Sequence, residues 1–298
     1  MTILSQSVKV TVKGLILNAF LTALKLGVGF GVGSAVLVAD GIHSLSDGAT
    51  DVVALLGIKI AERPADAGHA YGHGRFETIS ASIIGAALLV AGIAIAWQSG
   101  RDLYRGEENV PGYPLLLVAV VSLVSKEWLY RVTRGVALST GSPALQANAW
   151  HHRSDAFSSV AVLFGGIAAA AGWGYGDSTA AMVVAVIIIV VGFGAVRRAF
   201  VEVTEAAISE EESRLIVLAI GQVPGVRGWH RLRTRAVGPE VHMDVHVLVD
   251  PWLSVEESHE ICSSVERSIE RSVSRPVSAV VHCEPYRGEP PDGNVPAP

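Results

Sequence analysis

His43-Ser-Leu-Ser-Asp47 and His151-His-Arg-Ser-Asp155 each place a histidine four residues ahead of an aspartate, inside segments apolar enough to lie in a bilayer. An ionisable group at the bilayer centre costs at least roughly 2.5–3.5 kcal/mol on insertion scales, so four of them in two matching pairs ask for a functional reason. Positions i and i+4 share one face of a helix, so each pair turns an imidazole and a carboxylate toward a common point. Two such helices face to face supply an N2O2 donor set, the size of a tetrahedral metal shell. Two carboxylates neutralise a divalent ion and two neutral imidazoles complete its shell, leaving no net charge in a low dielectric. Protons compete for the same atoms, with histidine titrating near ~6.5, so proton entry is a means of expelling the ion. Asp40 and Asp51 fall near the face of Asp47 and are read as orienting or path-lining groups. His152 and Arg153 sit at the wrong angle to share the face of the second pair, and His152 is read as an orienting or packing residue.

Two further groups of side chains could hold metal. Asp66, His69 and His73 put one carboxylate and two imidazoles within eight residues of a glycine-containing stretch. They could converge on a surface cation. The last third of the chain holds His230, His242, His246, His259 and His282, half of the ten histidines, with Glu284 beside the last. His246 and His282 fall on predicted strands and could face one another across a metal. Cys283 reads as a small strand residue, with a soft-ligand role as the alternative.

The elements that must position these groups follow from composition. Half of the 298 residues are hydrophobic and 17% are charged, and the charged ones are concentrated outside six long apolar runs. These are Val10 to Gly31, Ser34 to Ala61, Phe76 to Ser99, Leu115 to Val136, Leu145 to Ala171 and Ser178 to Ala199, against the ~20 residues a spanning helix needs. The first run has no small-residue cleavage site and is read as a membrane helix, not a leader. Six spans put both ends of the chain on one side. Lys9, Lys13, Lys59, Arg63, Arg75, Arg131, Arg134, Arg197 and Arg198 fall at the connections of that side, with only Arg101 and Arg105 opposite, so both termini are expected in the cytoplasm. Glycines such as Gly27 and Gly31 suit close helix packing. A net charge of −5 leaves no basic footprint for nucleic acid, and none is expected as a partner.

From Ser209 the pattern becomes that of a soluble fold. Ser209 caps an acidic first turn and a helix to Gln222; Arg227 to Ala236 and Val241 to Val249 read as strands around a Gly238-Pro239 turn. Ser254-Val-Glu-Glu257 is a capping box for a helix to Ser272, and Val277 to His282 is a last strand. The fold class expected is therefore an α-helical membrane protein of six transmembrane helices followed by a small α+β domain in αββαβ order. Domain bounds are 1–207 for the membrane part, 208–286 for the cytosolic part and 287–298 for a disordered tail. Cys262 and Cys283 lie in the cytosolic part, where no disulfide is expected.

These residues, in this order, resemble the cation diffusion facilitator family. The likeness is carried by Asn18, Lys25 and Gly27, then Ser34, Ala39, Asp40, His43 and Asp47, then Tyr71-Gly-His73-Gly and the His151/Asp155 pair. It implies a homodimer that exports a divalent cation against proton entry by alternating access, with a metallochaperone-like cytosolic domain. By the same resemblance His43, Asp47, His151 and Asp155 form the transport site, and Asp66, His69 and His73 a loop site. His230, His246, His259, His282 and Glu284 match the cytosolic site that joins the two soluble domains, and Arg75 and Glu205 match a charge pair near the dimer interface. His43 and Glu284 depart from a well-known branch that has aspartate at both positions. Zn2+ is the expected substrate and bound regulatory ion, because two imidazoles and two carboxylates suit it and hard octahedral ions prefer oxygen shells. Fe2+, Mn2+, Co2+ and Cd2+ remain alternatives. The location implied is a bacterial cytoplasmic membrane, with lipid, protons and the metal as partners. The rivals are an intramembrane metalloenzyme, which needs an open coordination position, and a non-transporting sensor or scaffold.

Overall fold

The computed structural model of the chain describes residues 3–31, 35–106 and 113–288. They form two compact units, residues 1–200 and 201–298.

The first unit is built from six long helices: α1 (Ile3–Gly31), α2 (Ala35–Ala61), α3 (Arg75–Arg105), α4 (Tyr113–Thr140), α5 (Pro143–Ala170) and α6 (Gly176–Val203), the last three residues of α6 belonging to the second unit. Among the described residues, three stretches are long and apolar enough to cross a membrane on length and composition alone: Gln6–Val28, Arg75–Arg105 and Ser178–Val203. The outward faces carry Phe20, Val90, Trp97, Val190 and Phe193 in the open, as a lipid-facing helix does. The inward faces are polar: Asn18, Asp51, Glu77, Lys126, Asn148 and His152 are all buried. In a bilayer this inversion is expected, since lipid solvates the apolar exterior and polar groups find partners only inside the bundle.

α1 packs on α2 and α4, α2 on α3 and α5, and α5 on α3 and α4. The helices run beyond the apolar windows wherever a local signal allows. α3 continues to Arg105 and stops at Gly106, whose φ of 67° is the left-handed conformation that ends a helix. Close packing through glycine occurs, but not where Gly27 and Gly31 suggested: a Cβ at either would meet nothing within 4 Å among the described residues. Tight approaches occur elsewhere, among them one between α3 and α6. A Cβ on Gly192 would lie 2.9 Å from the Leu89 backbone nitrogen, and one on Gly92 would lie 2.8 Å from Ile189 Cγ1.

The second unit holds α7 (Glu210–Gly221), β1 (Gly228–Val237), β2 (Glu240–Val249), α8 (Val255–Ser272) and β3 (Val277–Pro285). Ser209 caps α7 by accepting from the Glu212 backbone N–H at 3.2 Å. α8 opens with a complete capping box: Ser254 Oγ accepts from the Glu257 N–H, and the Glu257 carboxylate accepts from the Ser254 N–H. The sheet has the order β1-β2-β3, with β1 and β2 antiparallel and β2 and β3 parallel across α8. Alternate residues of β2, Met243, Val245, Val247 and Val249, enter a core with Ile216, Ile220, Val265 and Ile269 from the two helices. That leaves Asp244 and His246 on the opposite face.

One expectation is overturned here. Cys262 and Cys283 form a disulfide. α8 packs on β3 and brings the two Cα atoms to 6.7 Å, a closeness set by tertiary packing that a separation of 21 residues does not reveal. Of the expected tail, residues 289–298 lie outside the described residues.

Candidate metal centres

In the first unit His43 and Asp47 lie on α2, which packs against α5. Their side chains, and that of Asp40, are outside the described ones. On α5, His151 Nε2 is 3.9 Å from Asp155 Oδ2, the approach that i,i+4 spacing dictates. His151 is buried and Asp155 is nearly so. A third group stands with them: Lys126 of α4 places Nζ 2.6 Å from Asp155 Oδ2. Lys126 was not singled out by spacing, although a single lysine in the middle of the fourth apolar run was a signal in plain view. Lys25 of α1 donates to Ser44 Oγ at 2.8 Å, bracing the turn of α2 that carries His43.

Beside this pair lies a second buried polar group. The Asp51 carboxylate accepts from the side-chain amides of Asn18 and Asn148, the latter at 2.8 Å, and His152 Nε2 is 3.4 Å from Asp51 Oδ1. Asn148 and His152 are four residues apart on α5 and so share a face, offset from that of His151 and Asp155. Arg153 turns elsewhere, donating to Tyr130 Oη at 2.7 Å with its guanidinium 4.4 Å above that ring.

The connection after α2 folds on itself. The Gly68 and His69 backbone N–H groups both donate to Asp66 Oδ1 at 2.8 Å, and Gly72 turns the chain with a φ of 80°. Those two donors, His69 first, hold the Asp66 carboxyl below the usual carboxylate range. His73 Nε2 is 3.5 Å from Asp66 Oδ2, the His69 and His73 rings are 4.3 Å apart, and one ligand-type atom from each of the three residues falls within 4.8 Å of the others. His73 Nδ1 lies 3.3 Å from the Arg63 carbonyl, the outer contact that fixes the ring of a metal-binding histidine.

In the second unit strand register does the positioning. His230 pairs with His246 across β1 and β2, and His246 with His282 across β2 and β3, so three histidines form one row on one face. Ring centroids are 5.1 Å apart for the first pair and 4.8 Å for the second. Glu284, two residues beyond His282 on the same face, gathers them: Oε2 is 2.9 Å from His230 Nε2, and Oε1 is 2.7 Å from His246 Nδ1 and 3.6 Å from His282 Nε2. Hydrogen bonding to His246, then to His230, holds the Glu284 carboxyl below its usual range. His259 is exposed on α8 and is not brought to this cluster. His242 faces Glu240 Oε2 at 3.5 Å. Glu205 forms an ion pair with Arg235 at 3.1 Å.

A bundle of lipid-compatible helices with ionisable groups inside, joined to an αββαβ unit bearing a histidine–carboxylate row, defines a multi-pass membrane protein with built metal-ligand clusters. Residues 12–203 match the cation efflux transmembrane domain and residues 208–286 the cytoplasmic domain of cation efflux proteins. The chain therefore belongs to the cation diffusion facilitator family, a family of transporters and not of enzymes. Metal tolerance protein C1 of Arabidopsis thaliana is 35% identical over 287 residues, which cover 91% of this chain and 61% of that protein, so the chain spans less than two thirds of that relative's length. The manganese efflux system protein MneP of Bacillus subtilis is 30% identical over 285 residues, 93% of this chain and 96% of that one. A solved variant of the MamM CTD in its nickel form shares 37% identity, covering 26% of this chain and all of that one with a TM-score of 0.26.

Proposed function

We propose that this protein is a homodimeric exporter of a divalent transition metal, Zn2+ foremost, that exchanges the ion for protons by alternating access across a bacterial cytoplasmic membrane. Both termini lie in the cytoplasm. The carrying observation is the placement of His151 and Asp155 one turn apart on α5, which packs against α2, the helix whose sequence holds His43 and Asp47. Four such groups suit a tetrahedral borderline ion, and the family is one of cation efflux. The positive connections on one side of the apolar runs support the orientation. Asp66, His69 and His73 form a surface site, and His230, His246 and Glu284 a cytosolic one, each with ligand atoms close enough for one ion, with His282 beside the second at 3.6 Å from Glu284.

The name of MneP brings a second metal forward, since a manganese efflux protein is similar over nearly the full length of both chains. The test of transport also decides the metal. Purified protein in liposomes with an imposed proton gradient is expected to move Zn2+, and Asp47→Ala to stop it. Unchanged flux in that variant overturns the assignment, and Mn2+ moving faster than Zn2+ under the same gradient transfers the substrate to manganese.

A further inference from the structure

Asp51 is wholly buried, and the three side chains around it leave acceptor or donor atoms unused: Asn18 Oδ1, Asn148 Oδ1 and His152 Nδ1 are buried with no hydrogen-bond partner among the described residues. A polar group out of water without a partner is costly, and three around one carboxylate are more than helix clamping requires. The atoms that do meet have ligand spacing. Asn148 Nδ2 is 2.8 Å from Asp51 Oδ1 and 3.3 Å from His152 Nε2, and the carboxylate oxygen is 3.4 Å from that nitrogen. Donors bound at ~2.0–2.2 Å around a small divalent ion are themselves about 3.0–3.5 Å apart. A half-turn of either asparagine amide exchanges its nitrogen for its oxygen at nearly the same place, converting a hydrogen bond into a ligand. Gly14 of α1 faces the group, where a Cβ would lie 3.5 Å from His152 Nε2 and 3.6 Å from Asp51 Oδ1, at ordinary contact distance.

We infer that Asp51, His152, Asn18 and Asn148 form a second intramembrane station for a divalent transition-metal ion, one helical turn from the Asp47 level of α2. Asp51 follows Asp47 by four residues toward the α2 end that carries Lys59, so in the proposed topology the station lies on the cytoplasmic approach to the transport site. One carboxylate in place of two leaves a bound divalent ion with net positive charge, so the station holds the ion less tightly than the quartet and passes it on. Its donor set of one nitrogen and three oxygens is also harder than that of the quartet and favours ions of the Mn2+ and Co2+ kind. This inference rests on the transport reading, but its test is separable from it.

Co2+ is the probe, on the full chain in detergent and in liposomes. In an Asp47→Ala/Asp155→Ala background, where the quartet is disabled, adding Asp51→Asn is expected to remove one Co2+ per chain at equilibrium; Asn keeps the size of Asp and one accepted hydrogen bond, the other reversing by a half-turn of the facing asparagine amide. With the quartet intact, Asp51→Asn is expected to raise the KM for Co2+ flux about tenfold and to change the saturated rate much less. A structural clamp would lower the rate or the yield and leave KM alone. Equal Co2+ stoichiometry with and without Asp51→Asn overturns the station. His152→Gln, which removes the nitrogen donor but leaves the carboxylate, must lose the same ion, and decides the matter if the first variant misfolds. Loss of that ion in a protein whose unaltered form shows no flux would uphold the station and sink the exporter assignment instead.

Discussion

Lys126 Nζ rests 2.6 Å from Asp155 Oδ2, a side-chain cation on the carboxylate that we propose as a metal ligand. Both side chains are largely shielded, at 4% and 17% exposure. In the proposed transport site, lysine and the ion would address the same negative charge.

Removing one partner of a buried pair leaves the other uncompensated, at about 3–5 kcal/mol. Lys126→Met keeps the length of the stem and removes only the charge. The metal-free variant is expected to melt well below the parent, and saturating Zn2+ to raise its Tm more than that of the parent, because the ion supplies what lysine did. Calorimetry of the detergent-solubilised protein measures both shifts. Equal Zn2+ shifts would mean that lysine and ion do not share Asp155.

His246 is the middle of the three-histidine row and touches Glu284 directly. His246→Ala is expected to weaken metal-dependent closure of the paired cytosolic units while leaving part of the flux. Spin-label distances between the two units, with and without Zn2+, report the closure. Abolished flux would place His246 in the transport step and contradict its assignment to closure.

The α8 capping box gives a pH dependence with a definite sign. The Glu257 carboxyl is held below its ordinary range by the Ser254 backbone N–H, then by the Ser254 hydroxyl, at 2.7 and 2.8 Å. A carboxylate depressed in the folded state stabilises fully above its unfolded value of ~4.3, and that contribution is lost as pH falls through the lower folded value. Amide protection in the first turn of α8 is expected to be flat from pH 7 to pH 5 and to decline below about pH 4. Ser254→Ala should cost ~1 kcal/mol at neutral pH and remove most of the acid dependence. A decline of the same size in that variant would assign the effect to another carboxylate.

Gly192 meets the backbone of α3, and Gly27 meets nothing within 4 Å among the described residues. A methyl group at Gly192 must push α6 away from α3, a strain of typically 1–3 kcal/mol, whereas Gly27→Ala is neutral or favourable within its helix. Thermal melts of the two variants side by side are expected to separate by several degrees, with Gly192→Ala the lower. Equal melts would remove the α3–α6 contact from the account of stability.

How much of this could be read from the chain depends on the range of the physics involved. Six spanning helices, the αββαβ order, the caps at Ser209 and Ser254, and the facing of His151 and Asp155 are consequences of local pattern: apolar runs, 3.6-residue periodicity and side chains that close on their own backbone. The amino-acid order determined those by itself. It did not determine that His152 turns to Asp51, that Lys126 reaches Asp155, that Cys262 meets Cys283, or that a glycine makes close helix contact at Gly192 of α6 and none at Gly27 of α1 among the described residues. Each of these depends on the rotation of one helix against another, or on one element docking on its neighbour, and that is decided by all the contacts of the packed state together. The row of His230, His246 and His282 stands between the two cases. The alternation of β2 put His246 on the polar face, but only the register of β1 and β3, with the irregularity between His230 and Arg233, brought the other two into line with it, because a slip of one residue would have turned each to the opposite side of the sheet.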